Sequence, residues 1–132
     1  MLVPTLHVLG SAIATVAASA DSARRTWFVE GAGAHPALVR DAFDAGVTVL
    51  AGTDSHDVSV LDEVRALVDA GMPVIDAIGS ASWVARKFLG LGGLEPDGLA
   101  DAVVFDEDPR VDLAVLANPR AVVLRGRAVR IR

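Results

Sequence analysis

The fold is decided by the stretch Ala45-Gly-Val-Thr-Val-Leu-Ala-Gly-Thr-Asp-Ser-His-Asp57. Val47 to Ala51 is a short apolar run, rich in β-branched residues and free of charge. That is the composition of a strand buried on both faces, as in parallel sheets. Gly46 closes what precedes it, and Gly52 opens the chain directly after it. Thr53, Asp54, His56 and Asp57 then arrive together, side chains suited to metal binding or proton transfer. α/β enzymes place their chemistry at the C-terminal ends of parallel strands, which makes Asp54 a site candidate. The residues leave a second role open for Asp54, as a cap of the following helix or the head of an Asx-turn. Ser55, His56 and Asp57 are no nucleophilic triad, because adjacent residues on a turn cannot point at one another.

Upstream, Leu2-Val3-Pro4-Thr5-Leu6 reads as the end of another buried strand, so that Val3–Leu6 and Val47–Ala51 are predicted to be parallel. The Ala-rich stretch Ser11 to Arg25 predicts a helix, with Ile13 and Val16 toward the core. Thr26 to Ala34 reads as irregular because of its glycines. Pro36 suits the first position of a helix whose apolar face is Leu38, Val39 and Phe43, and His35 before it reads as a surface residue. Downstream, Ser59 followed by Asp62 has the form of a helix N-cap, and Leu61, Val64, Leu67 and Val68 give a helical stripe ended by Gly71. Pro73 starts a further helix carrying Val74, Ile75, Ile78, Ala81, Val84, Ala85 and Phe88, ended by Gly90, with Trp83 in the core. Gly92-Gly93, Pro96 and Gly98 mark a boundary near 91–98. Beyond it Ala102-Val-Val-Phe105, Val122-Val-Leu124 and Ala128-Val-Arg-Ile131 read as strands. A tight hairpin at Arg125-Gly126-Arg127 joins the last two.

The composition narrows the function classes. The 132 residues suffice for one domain with a real core, and 52% apolar with only 5% aromatic residues makes that core one of Ala, Val and Leu. A net charge of −5 with no basic cluster argues against a nucleic-acid partner. Arg125, Arg127, Arg130 and Arg132 alternate as the solvent face of a strand pair would. The absence of Cys excludes disulfides and thiolate metal sites. The N-terminus lacks the basic start of a signal peptide, and Ser11 to Ala20 is too short to span a bilayer. A soluble, cytoplasmic protein without a membrane partner is expected.

Several stretches in order resemble the metal-dependent amidohydrolase superfamily, near its imidazolonepropionase-like and dipeptidase-like members. They are Val3-Pro4-Thr5-Leu6, Ala45 to Ser55, Leu61-Asp-Glu63-Val, Asp69-Ala-Gly-Met-Pro73, Ala81 to Gly90, Leu99 to Asp106 with Asp108-Pro109, and Val122 to Val129. The resemblance is good over about residues 45 to 132 and weaker before. It implies an α/β fold: residues 1–91 as the last βα units of a (β/α)8 TIM-like barrel, and 92–132 as part of an accessory β-sandwich. A whole barrel takes about 250 residues, so the resemblance implies a C-terminal portion.

The resemblance further implies hydrolysis of C–N bonds in a small amide or cyclic amide by metal-activated water, with Asp54 touching a divalent metal, zinc, and accepting the water's proton. Thr53, His56 and His7 are the candidate substrate contacts. The family's other ligands, a His-x-His pair, a Lys or Glu and two further histidines, come from earlier strands. One carboxylate and one imidazole fall short of the three or four protein ligands of a tight zinc site. The isolated portion is therefore expected to be inactive, and to self-associate or to join a complementary N-terminal segment. A reading from another class is an inert remnant serving as a binding or assembly module. A stand-alone enzyme using Asp54 and His56 on another fold is a third.

Overall fold

The computed structural model describes residues 1–129. Five α-helices come first: α1 Leu6–Ala17, α2 Ala23–Asp44, α3 Val60–Asp69, α4 Val74–Ser80 and α5 Trp83–Phe88. Strand β1 Ala102–Val104, a 3-10 turn at Leu113–Ala117, β2 Ala121–Leu124 and β3 Arg127–Val129 follow. The strands form one antiparallel sheet in the order β1-β2-β3. No helix among these residues is long and apolar enough to cross a membrane.

The two predicted parallel strands reduce to a single parallel bridge between Leu2 and Val49. Leu2 donates to the Thr48 carbonyl at 2.8 Å, and Leu50 donates to the Leu2 carbonyl at 2.9 Å. Val49 and Leu50 are buried on opposite faces, as a parallel strand requires, but Val47 is exposed. Val3–Leu6 is not a strand. Thr5 takes a left-handed conformation, φ 50°, and Leu6 is already the first residue of α1. Beside the bridge, the core gathers Leu6, Val39, Val49, Val64, Leu67, Met72, Ala77 and Ile78.

The helices differ from expectation where weak helix formers stand. Ser11–Arg25 is broken at 18–22, and α2 runs straight through Thr26 to Ala34. Pro36 lies inside α2 rather than at its start, so His35 stands mid-helix, half-buried, rather than before a helix. Gly31 and Gly33 pack against nothing. The helix survives them because α1 and α2 pack as a hairpin and Ser22 caps α2 by accepting from the Arg25 N–H. Tertiary packing overrides propensity here. Of the predicted apolar face, Val39 is fully buried and Phe43 half-buried, whereas Leu38 is 61% exposed.

The α3 prediction matches in detail. Ser59 accepts from the Leu61 N–H, and the Asp62 side chain accepts from the Ser59 N–H at 3.1 Å, a reciprocal cap. Gly71 follows with φ 101°. The helix predicted from Pro73 to Gly90 breaks in two at Ala81-Ser82. Ser80 donates its hydroxyl to the Ala77 carbonyl and Ser82 to that of Ile78, bonds that compete with the helix ladder. Trp83 is consequently 47% exposed rather than a core residue, and Ile75 and Phe88 are exposed too.

Beyond residue 91, β1 and β2 pair in the register Val103↔Val122, and β2 and β3 in the register Val122↔Val129. Arg125 (φ 50°) and Gly126 (φ 76°) form the tight turn with both residues left-handed. The predicted extension to Ile131, and the alternation through Arg130 and Arg132, lie outside the described residues. Arg86 ties the sheet to α5. It donates to Asp101 Oδ2 at 3.0 Å and to the Gly92 carbonyl at 3.0 Å, while Asp101 Oδ1 accepts from the Arg125 N–H at 2.6 Å. The 3-10 turn brings Leu113 and Leu116 against the core beside α3.

The Arg125 N–H, then the Arg86 guanidinium, hold the Asp101 carboxyl below its ordinary value. A lowered folded-state pKa stabilises above the unfolded value and loses that contribution as pH falls through the folded value. Acidification from neutral to below pH 3.8, the ordinary aspartate value, should loosen the sheet from α5 before the helices melt. Asp101→Asn should remove this pH dependence. Amide exchange of β2 against α3 across a pH series checks it, and identical acid profiles for the two proteins would refute it.

Candidate functional site

The bridge between Leu2 and Val49 runs parallel, so its two segments leave it in the same direction. Thr5 and His7 follow one exit, and Thr53, Asp54 and His56 follow the other. The exits approach closely: a Cβ at Gly52 would stand 2.5 Å from Val3 Cγ1. Only glycine lets the segments meet there, which gives Gly52 a packing reason as well as a turn reason.

Asp54 is exposed, with φ 48°. Asp is among the few residues that tolerate this left-handed region, and it tolerates it through local turn chemistry. The surrounding bonds order the turn. Thr53 Oγ1 donates to the Ser55 carbonyl at 2.9 Å, and the Asp57 N–H donates to Ser55 Oγ at 3.2 Å. The capping role left open for Asp54 is filled by Ser59. No hydrogen bond reaches the Asp54 carboxylate among the described residues, so its oxygens are available. Thr53 is half-buried with its hydroxyl engaged in the turn; His56 is exposed on it.

His7 lies in the first turn of α1, half-buried. Its backbone N–H donates to Glu63 Oε2 at 3.0 Å, and the Leu6 N–H donates to Glu63 Oε1 at 3.0 Å. Glu63 has no solvent exposure. His7 and the Asp54 turn thus follow the same end of the parallel pair, and a carboxylate on α3 holds the first turn of α1. Sequence reasoning did not single out Glu63 as the partner of these N–H groups. Its signal was an acid set beside the apolar stripe Leu61, Val64 and Leu67. Thr5 was missed as well, since nothing in its neighbours announces a left-handed β-branched residue.

Two shallow clefts lie apart from these residues. One of about 410 Å³ opens beside Val16, Arg25, Trp27 and Phe28, where α1 ends and α2 begins. The other, about 310 Å³, lies beside Asp106, Glu107 and Asp112. His35, in the middle of α2, is not part of either exit.

In solved structures, the chain is similar to a Xaa-Pro dipeptidase with methionine bound in its active site. The TM-score is 0.78 and the identity 26%, over 98% of this chain and 34% of that one. It is 43% identical over 93 residues to an uncharacterized protein of Mycobacterium bovis and to uncharacterized proteins of two Mycobacterium tuberculosis strains. That match takes in 67% of this chain and 25% of each relative, so the chain spans about a quarter of their length. Residues 6–129 match the amidohydrolase family. With nearly the whole chain inside that match, the chain belongs to the amidohydrolase family.

Proposed function

We propose that this chain forms the C-terminal part of an amidohydrolase that cleaves C–N bonds in a small amide or cyclic amide, with Asp54 as the proton acceptor. The observation that carries the reading is an exposed aspartate with a free carboxylate at the exit of a parallel segment, in a chain of this family. Asp54 takes the proton of the attacking water and returns it to the leaving amine. Thr53 shapes the turn, and His7 and His56 flank the substrate. In this reading residues 1–91 are the last βα units of the barrel and 92–132 part of the accessory β-sandwich, and the protein works in the cytoplasm. Asp54→Asn keeps the shape and removes the proton acceptor. Turnover of dipeptide and cyclic amide substrates, by a protein in which the site is completed, should fall about 10²–10⁴-fold, with the circular dichroism unchanged. Near-full activity in the Asn variant would remove Asp54 from the mechanism.

The family generally uses divalent metals. Among the described residues, no three His, Cys, Asp or Glu side chains gather as a metal-binding group. Asp54 with His7 or His56 does not make up the three or four ligands that zinc requires. The donor set of this chain does not fit a tightly held ion. Calorimetric titration with zinc at neutral pH should give binding weaker than about micromolar. Tighter stoichiometric binding, lost in Asp54→Ala, would reveal ligands beyond those identified.

A second reading, an inert binding or assembly module, draws on the same missing ligands and on the sheet. Val103, Val122, Leu124 and Val129 share one face of it, and Val103, Leu124 and Val129 are about half exposed. Val49 forms no backbone bond on the side away from Leu2 among the described residues, although Val47 and Ala51 on that side donate to the Ala42 and Ser80 carbonyls. Apolar area on this scale favours association, through self-assembly or a complementary N-terminal segment. Light scattering during size exclusion should show a mass above 13.7 kDa or a broad distribution. A sharp monomer with cooperative unfolding would refute association.

A further inference from the structure

Thr5 holds the N-cap position of α1, where a threonine ordinarily turns its hydroxyl onto the N–H groups of its own first turn. Here it does not. Its backbone is left-handed, φ 50° and ψ 45°, and its side chain makes no cap bond. A β-branched residue in that region is strained and persists only when its surroundings fix it. What fixes it is Glu63, 57 residues away, whose two carboxylate oxygens take the Leu6 and Leu6-adjacent His7 N–H groups. A buried carboxylate at a helix N-terminus is favoured both by the helix dipole and by the charge-assisted bonds. Glu63 belongs to α3, the helix that follows the Asp54 turn and is capped at Ser59. One side chain therefore ties the exit of the first segment to α3, the helix that follows the second.

We propose that Glu63 is a positioning residue of the candidate site: its carboxylate caps α1 in place of Thr5, fixes Thr5 and His7 relative to α3, the helix that follows the Asp54 turn, and leaves the Thr5 hydroxyl out of the cap and open to a small polar substrate. This rests on that end of the molecule being the hydrolytic site, yet its test needs no turnover. Glu63 touches no reacting atom. It acts through the backbone of residues 5–7.

The test is nuclear magnetic resonance on isotope-labelled protein. In the unaltered chain, couplings transmitted through hydrogen bonds should connect the Leu6 and His7 amide nitrogens to the Glu63 carboxylate carbon. In Glu63→Gln, exchange of the Leu6 and His7 amides should accelerate about tenfold or more. The Thr5 backbone shifts should leave the left-handed range, while the Val64 and Leu67 amides keep their protection. Uniform acceleration throughout the chain would make Glu63 merely structural and overturn the proposal, and so would unchanged Leu6 and His7 amides. If the Gln variant fails to fold, the couplings in the unaltered protein decide, and their absence overturns the proposal. A protein with its site completed that is inactive while these signals stay intact would count against the hydrolytic reading and leave the capping assignment standing.

Discussion

The structure depends on the buried carboxylate of Glu63 between α3 and the first turn of α1. It closes a loop of more than fifty residues with two hydrogen bonds, and it does so where no water reaches. Removing the carboxylate would leave two N–H groups without their partner, at about 1–3 kcal/mol each, a large share of the 5–15 kcal/mol that holds a typical domain together. The surrounding core is small and aliphatic, with Leu6, Val39, Val64 and Leu67 as its centre. Aliphatic packing of that kind sets density but little register. The carboxylate supplies the register, because only one placement of α1 satisfies both of its oxygens.

The β-rich tail is held by different means. The 3-10 turn contributes Leu113 and Leu116 to the core, and the Arg86–Asp101 pair, with both side chains about one-fifth exposed, links α5 to the hairpin turn. The remaining ion pairs, Arg25–Asp21, Arg40–Asp44, Arg110–Asp108 and Arg120–Asp106, each place at least one partner largely in solvent. Pairs of that kind contribute little individually. Arg40 also donates to the Gly71 carbonyl, which joins α2 to the turn that ends α3. The tail therefore rests on one polar joint and two leucines, while the helical part rests on a continuous core.

What the sequence made legible was local. The Ser59–Asp62 cap, the Gly71 stop, the Arg125-Gly126 hairpin and the turn at Thr53–Asp57 each depend on neighbouring residues, and each was readable. The extent of α2 was not. Gly31, Gly33 and Pro36 argue locally against a helix, and only packing on α1 overrules them. The left-handed Thr5 was hidden for the same reason, since its cause lies at Glu63. The position of Asp54 at a segment exit was legible from the glycines and the apolar run around it. The link from α3 to the first turn of α1, where His7 lies, was not, because it passes through a side chain far away in sequence.

The indole of Trp83 lies where a Cβ at Gly79 would be, 2.7–2.8 Å from the nearest ring atoms. Positions 79 and 83 are therefore a single unit for anyone re-engineering this chain. Alanine at 79 would gain about 1 kcal/mol of helix propensity, but the indole must first move, and its movement would reset the angle at which α5 leaves α4. A smaller residue at 83 would make room for that alanine. The effect of alanine at 79 therefore depends on the residue at 83, which is epistasis built into the joint between two short helices.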